Sequence, residues 1–380
     1  MTRSTENADV VVVGLGALGS AAAHHLARRG ARVVALEQFE LGHVRGASHD
    51  TSRIVRTSYG AGEYVRLAKS AYADWADLER ETGERLLTRT GGLVLIPDAG
   101  PYSIDDFSTS LGRFDVPFEL LDADQVRHRF PQFRVGDDVR AVWTADTGIA
   151  HAARTVATLQ LHARVHGAVL RDRTPVRALE PDGGGVVVRT DDGTLRARKV
   201  VLAADAWANR LLEPLGAAIP LVCMQEQVTY FAPADPAAFD RARFPVWIWE
   251  DEQCFYGFPT YGEPTVKAAR DVSGNLTTPE ERTFVHSPEL LEELRGFVGR
   301  VVPGAGPDVR TVTCQYALTP DRRFVLGPLT RHPDVLVALG AGHAFKFAPA
   351  VGRVLAELAL DGGTAEDVSA FGVPAPAPVG

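Results

Sequence analysis

The sequence predicts an α/β (α+β) fold: a parallel-sheet nucleotide-binding domain interrupted by a substrate domain built on an antiparallel sheet. Three observations carry this expectation. A β-branched run at residues 10–13 leads into Gly14, Gly16 and Gly19 at G-x-G-x-x-G spacing. Strand and helix patterns alternate at both ends of the chain. The middle is dominated by short strand patterns.

A continuous β-branched run is the pattern of a parallel strand buried on both faces. Gly14 permits the tight turn after it, Gly16 lets a pyrophosphate approach the backbone, and Gly19 lets the helix at 18–29 pack close to the strand. The N-terminal N–H groups of that helix point at the phosphates. Residues 33–36 are the second strand. Glu37 closes it where an acid accepts hydrogen bonds from a ribose hydroxyl. Together these elements read as a Rossmann-like dinucleotide site. Glu37 argues against a 2′-phosphate but suits the adenosine ribose of either NAD or FAD.

Residues 38–59 are a polar loop rich in Gly, His, Ser and Arg, and a loop this long in a compact protein is usually functional. Tyr64, Leu67, Ala71, Trp75 and Leu78 give a helix over 61–83. A strand at 93–96 and a surface insertion at 97–115 follow. Asp122-x-x-Gln125 starts a helix that Pro131 stops. A strand at 141–144 precedes an amphipathic helix at 152–166, closed by Gly167. Residues 186–189 and 195–199 pair around Asp192-Gly193, and the second arm continues through 200–204. Residues 220–228, 246–250, 255–258 and 265–268 are strands of the antiparallel sheet. An acidic helix at 280–299, strands at 309–316, 324–326 and 335–339, a helix at 347–360 and a mobile Pro-rich tail at 372–380 complete the chain. The expected domains are 1–85, 145–215 and 310–380 for the nucleotide, and 86–144 with 216–309 for the substrate.

With 380 residues and 45% hydrophobic content, the chain can bury a large core. A formal charge of −8 and a pI near 5.8 remove nucleic acid and anionic membranes from the expected partners. There is no 18-residue apolar run and no signal-peptide core. Cys223, Cys254 and Cys314 are too few and too scattered for a disulfide framework or a metal site, which points to a reducing cytoplasm. Lysine is scarce: Lys69, Lys199, Lys267 and Lys346. A compact ammonium can lose its proton when desolvated and a guanidinium cannot, so each lysine bears inspection. Lys69 and Lys199 read as ordinary surface residues.

Four segments carry chemistry. They are Ser48-His49-Asp50-Thr51-Ser52-Arg53-Ile54-Val55-Arg56; Tyr256-Gly257-Phe258-Pro259 with Lys267 beyond; Cys314-Gln315-Tyr316 followed by Thr319-Pro320-Asp321; and Gly340-Ala341-Gly342-His343-Ala344-Phe345-Lys346-Phe347. With the N-terminal glycines they resemble the monomeric sarcosine oxidase family, which includes N-methyltryptophan oxidase, within the D-amino-acid-oxidase-like flavoproteins. The resemblance runs in order along nearly the whole chain.

The resemblance implies FAD rather than NAD, joined to Cys314 by an 8α-S-cysteinyl link. A thiolate adds to the electrophilic 8α position of oxidised flavin, and neighbouring cations favour the thiolate. Cys223 and Cys254 are read as small buried hydrophobes. By resemblance, Arg53 sits over the flavin face, while Arg56 grips the substrate carboxylate with Lys346 as second cation. Such a forked, charge-assisted contact is worth about 1.5–3 kcal/mol. Lys267 falls near flavin N5, where a fixed charge stabilises developing superoxide. Tyr256, Tyr316 and His343 shape the cavity and orient the amine. Ser48, Ser52 and Gly342 fall among the cofactor-binding positions, and Val176 lies against the adenine. Ala204-Asp205-Ala206-Trp207 matches a family A-G-A-W turn, with Asp205 in place of Gly. Asp271 stands where close members have histidine. An acid there, with Arg270 before it and Trp247 and Trp249 upstream, favours a substrate with an extra cation or several hydroxyls.

The implied activity is FAD-dependent oxidation of the C–N bond of an amino acid, or an N-methyl or cyclic one, other than sarcosine. The products are an imine and, from O₂, H₂O₂, and the enzyme is a monomer. The alternatives are a dehydrogenase or biosynthetic oxidase of a cyclic imino acid such as pipecolate or proline, a non-catalytic FAD-binding subunit, and a colourless NAD-linked reductase.

Overall fold

A computed structural model of the chain describes residues 6–374. Residues 1–5, and with 375–380 most of the expected Pro-rich tail, lie outside the described residues.

The strand Glu6–Val13 is central to the first sheet. It pairs in parallel with Val33–Leu36 on one side and Thr194–Leu202 on the other. Val10 and Val12 enter one core, among the helices, while Val11 and Val13 enter a second with Leu211, Leu212 and Val337. Burial on both faces is why this strand shows no polar alternation. Val169–Arg171 extends the sheet beyond Val33–Leu36. Val186–Thr190 and Val176–Pro181 extend it on the other side, Val335–Leu339 joins the far half of Thr194–Leu202, and Val325–Pro328 pairs with Val335–Leu339.

The helix Ala17–Arg28 packs against Ala152–Val165 and Ala348–Asp361. Its start is crowded. Gly14, at φ +92°, would carry a Cβ 2.5 Å from the Ala203 carbonyl oxygen, and a Cβ on Gly19 would overlap the carbonyl oxygen of Gly14.

The second sheet runs in the order Asp308–Leu318, Val222–Phe231, Val266–Arg270, Phe255–Phe258, Val246–Trp249, Gly92–Pro97, Val139–Thr144, Glu119–Leu121. It is antiparallel except where Gly92–Pro97 lies parallel to Val246–Trp249. Asp308–Leu318, which spans the expected boundary at 310, runs in this sheet. Pro288–Val301 covers one face through Leu294, Phe297 and Val298. Trp247 and Trp249 pack on Phe297, with ring centroids 6.2 and 5.6 Å away, so their aromatic surface belongs to this core and not to the cavity lining.

Two segments differ from their sequence reading. Residues 97–115 are not merely a surface insertion. They contain the helix Ile104–Arg113, capped by Ser103 and burying Ile104, Phe107 and Leu111. Its apolar spacing is helical but spans too few turns to stand out. The acidic helix begins only at Pro288, with Ser287 as N-cap; residues 280–287 instead form an irregular segment against the neighbouring strands. Strands such as Leu87–Arg89, Gly148–Ala150 and Val169–Arg171 are too short to show a period. Asp122 and Gln125 form the anticipated reciprocal cap. Among the described residues, no helix is long and apolar enough to cross a membrane.

Gly19→Ala forces a methyl group into the turn at Gly14. It is expected to destabilise the fold by about 1–3 kcal/mol, read from the denaturant midpoint.

Candidate active site

A cavity of ≈ 440 Å³ opens between the two sheets. It begins at Gly14, Gly16 and Glu37, passes Val176, Ser48 and Ser52, and ends among Lys267, Cys314, Tyr316 and Lys346. Arg53, Arg56, Tyr256, Asp271, Gly342 and His343 line it as well. Gly19 is the one expected site residue outside the lining; it sits behind Gly14 in the helix–turn packing.

At the dinucleotide end, Glu37 is 5% exposed, and its two oxygens accept from the backbone N–H groups of Leu15 (2.9 Å) and Phe39 (3.0 Å). Burial raises its pKa, but His43 and these N–H donors outweigh burial and hold it below the usual carboxylate range. Gly16 caps the helix without a side chain, leaving its first turn accessible from the cavity. Ser48 Oγ accepts from Ala17 N at 2.9 Å and ties the long loop to the helix start. Asp205 takes φ +47°, a conformation that Gly prefers and Asp tolerates. Burial pushes its carboxyl up to about 6. Asp205 Oδ2 and His49 Nε2 are buried without partners beside the cavity. Side-chain-free turn residues, a buried acid after the second strand and unpaired polar atoms along the wall fit a bound FAD.

Lys267 is fully engaged. Its Nζ lies 2.6 Å from Asp50 Oδ2, 3.0 Å from Ser52 Oγ and 3.2 Å from the Ser52 carbonyl. Asp50, at φ +78°, also accepts from Tyr230 Oη at 2.7 Å. Burial pulls the Lys267 ammonium down to about 8, against the pull of Asp50. Burial opposes the Asp50 charge too, but Lys267 and the two hydrogen bonds hold that carboxylate well below its usual range. Asp50 is thus a site residue the sequence reading missed, although it lies inside the segment singled out for Arg53 and Arg56.

Cys314 is buried, its Sγ 3.8 Å from Arg53 Nη2. Arg53 donates to the carbonyls of Ser52 and Ala47, both at 2.8 Å, so it braces the loop around the thiol. Arg282, also unanticipated, reaches the Arg45 carbonyl at 2.6 Å and the Thr313 carbonyl at 2.8 Å, strapping that loop to the strand of Cys314.

At the far end, Arg56 lies over the Tyr59 ring, with Cζ 4.4 Å from its centroid, and Lys346 Nζ is 5.6 Å from the same centroid. Arg56 Nη2 is 3.5 Å from Glu250, while its Nη1 is buried with no partner among the described residues. Burial and the nearby Arg56 lower the Lys346 pKa. Asp271 is not a bare acid: Arg322 donates to it at 2.9 Å. His343 bonds the Arg322 carbonyl at 3.0 Å, and burial keeps its imidazole neutral. Glu226, which the sequence reading did not single out, is 3% exposed and accepts from Ser273 N. Burial and neighbouring Asp271 push it up to about 7. Cys254 is no mere hydrophobe: it lines the cavity, and its thiol lies 3.4 Å from Glu250 Oε2.

A family model described as FAD dependent oxidoreductase matches residues 9–358. The chain belongs to the FAD-dependent oxidoreductase family. This oxidoreductase is similar to monomeric sarcosine oxidase of Streptomyces avermitilis, with 38% identity over 375 residues and 96% of each chain covered. It is 33% identical over 369 residues to N-methyl-L-tryptophan oxidase of Yersinia pestis, covering 96% of this chain and 98% of that relative. Among solved structures, the FAD-dependent oxidoreductase resembles NikD, an unusual amino acid oxidase essential for nikkomycin biosynthesis. The TM-score is 0.85 and the identity 32%, over 97% of this chain and 98% of the other.

Asp50→Asn strands the buried Lys267 ammonium. It is expected to destabilise the fold at pH 7 by about 3–5 kcal/mol in denaturant unfolding. Adding Lys267→Met removes the stranded charge and should recover most of that loss.

Proposed function

We propose that the protein oxidises the C–N bond of an amino acid, or of an N-methyl or cyclic amino acid, to an imine and reduces O₂ to H₂O₂. The observation that carries this reading is the cation pair in the FAD cavity. Arg56 and Lys346 both lie against the Tyr59 ring, and among the described residues Arg56 keeps a buried Nη1 without a partner. A substrate carboxylate supplies the missing acceptor and competes with Glu250 for the fork.

Bound FAD supplies the redox chemistry, taking a hydride equivalent from the substrate and passing its electrons to oxygen. Around it, Gly14 and Gly16 leave room for the pyrophosphate, Glu37 holds the ribose, Val176 meets the adenine, and Ser48, Ser52 and Gly342 complete the cradle. Cys314 would hold the flavin through a thioether at the 8α carbon, with Arg53 beside it. Lys267 holds a positive charge where oxygen is reduced, and Asp50 fixes its position. Tyr256 and Tyr316, which burial keeps neutral, exclude water and orient the amine with neutral His343. Asp271 and Glu226 make an acidic end suited to a side chain bearing an amine or hydroxyls, which sarcosine lacks. The released imine hydrolyses in water, and the enzyme works as a cytoplasmic monomer. The similarity to NikD favours, as second reading, an amino acid oxidase that serves a biosynthesis.

Anaerobic titration with a panel of N-methyl, cyclic and side-chain-charged amino acids is expected to bleach the flavin absorbance. No bleaching by any amine argues for a non-catalytic flavoprotein, and sarcosine outperforming every larger amine removes the acidic-end assignment. Oxygen uptake compared with an artificial acceptor separates oxidase from dehydrogenase. Arg56→Ala should raise KM about 10–100-fold, the equivalent of the lost forked contact. Cys314→Ser should give an acid-precipitated pellet without colour. Glu226 is neutral below about pH 7 and anionic above it. Affinity for a side-chain-cationic substrate should therefore rise from pH 6 to pH 8, and Glu226→Gln should flatten that profile.

A further inference from the structure

Away from the FAD cavity, the C-terminal ends of Ala17–Arg28, Gly62–Thr82 and Ala152–Val165 converge. His24 lies one turn before the end of the first helix, Glu81 is in the last turn of the second, and His166 is the C-cap of the third. One donor atom from each lies within 4.8 Å of the other two. His166 Nε2 is 2.8 Å from Glu81 Oε1, and His24 Nε2 is 3.6 Å from Glu81 Oε2. Donors around a tetrahedral Zn²⁺ with bonds of about 2.0–2.1 Å stand about 3.3 Å apart, so these two separations bracket the requirement. We propose that His24, Glu81 and His166 bind one divalent transition-metal ion of the Zn²⁺ class, with water completing the shell.

Three further observations support the site. The His24 side chain is 1% exposed, its Nδ1 has no partner, and its Nε2 lies beyond hydrogen-bond reach of Glu81. Glu81 Oε2 is likewise buried without a hydrogen bond, although Arg28 Nη1 approaches to 3.0 Å. Buried polar atoms are nearly always satisfied, and an ion between His24 Nε2 and the carboxylate satisfies Glu81 Oε2. Converging helix C-termini also present their negative dipole ends, which favours a cation. Two imidazoles and a carboxylate are a zinc donor set, and the His25 and His162 rings lie 5.1 and 6.4 Å from that of His24. Arg28 opposes an incoming cation, but its side chain is 40% exposed and free to swing into solvent. None of the three donors lines the FAD cavity, so the ion is a structural clamp on helices that support the dinucleotide turn.

The test uses the flavin-loaded protein, treated with a chelator, dialysed and titrated with ZnCl₂ by calorimetry and thermal unfolding. The expected result is one equivalent bound with a rise in Tm. His166→Ala, a change at a partly exposed position, should weaken binding about 100-fold or more and abolish the rise, with flavin spectrum and turnover unchanged. Arg28→Ala should bind at least as tightly as the unmodified chain, and zinc-edge X-ray absorption should show imidazole ligation. Binding well below one equivalent, an isotherm that His166→Ala leaves unaltered, or weaker binding in Arg28→Ala would overturn the proposal.

Discussion

The buried ion pair between Lys267 and Asp50 is the contact on which the rest of the site depends. Lys267 stands on a strand of the second sheet, and Asp50 stands on the loop that leaves the first. Two opposite charges removed from water hold together only if every remaining donor and acceptor is met, and Ser52 and Tyr230 meet them. The pair therefore pins the loop across the mouth of the second sheet. The Arg282 strap does the same a few residues upstream, and the Ser48 hydroxyl anchors the other side to the first helix. With those three attachments the loop becomes a wall, and the space beneath it becomes the cavity.

The cavity is electrically divided. Toward the loop, cations stand beside the thiol of Cys314 and are balanced by Asp50. Toward the far end, Arg56 and Lys346 lie against the Tyr59 ring with Glu250 beside Arg56, and the acids Glu226 and Asp271 also line the cavity, Asp271 paired with Arg322. Apolar and aromatic groups lie between, and burial keeps the tyrosines and His343 uncharged. A small molecule that carries both signs of charge finds complementary groups at separated points there.

Much of this was legible in the sequence because the relevant spacings are short or lie within single segments. The glycines, the helix and Glu37 declare themselves over fewer than 30 residues, and Arg53 and Arg56 are three apart. The reciprocal cap at Asp122 and the hairpin at Asp192-Gly193 are local as well. What stayed hidden depends on partners far along the chain. Nothing near Lys267 says that residue 50 will neutralise it, nor that Arg322 will occupy Asp271. Glu226 sits mid-strand, where a single acid looks like a solvent-facing residue until the opposite layer is known. The face on which Trp247 and Trp249 lie was equally indeterminate, because the strand is buried on both sides and has no polar alternation to orient it. Arg282 was hidden by a helix boundary placed too early; Pro288 and Ser287 mark the true start.

The first sheet has a further consequence through its order of assembly. Thr194–Leu202 needs both Glu6–Val13, from the beginning of the chain, and Val335–Leu339, from near its end. During synthesis the central layer therefore waits with one flank unpaired until Val335–Leu339 has left the ribosome. The FAD cavity, whose wall includes Ala338, Gly340 and Lys346, is finished only once that late strand is in place.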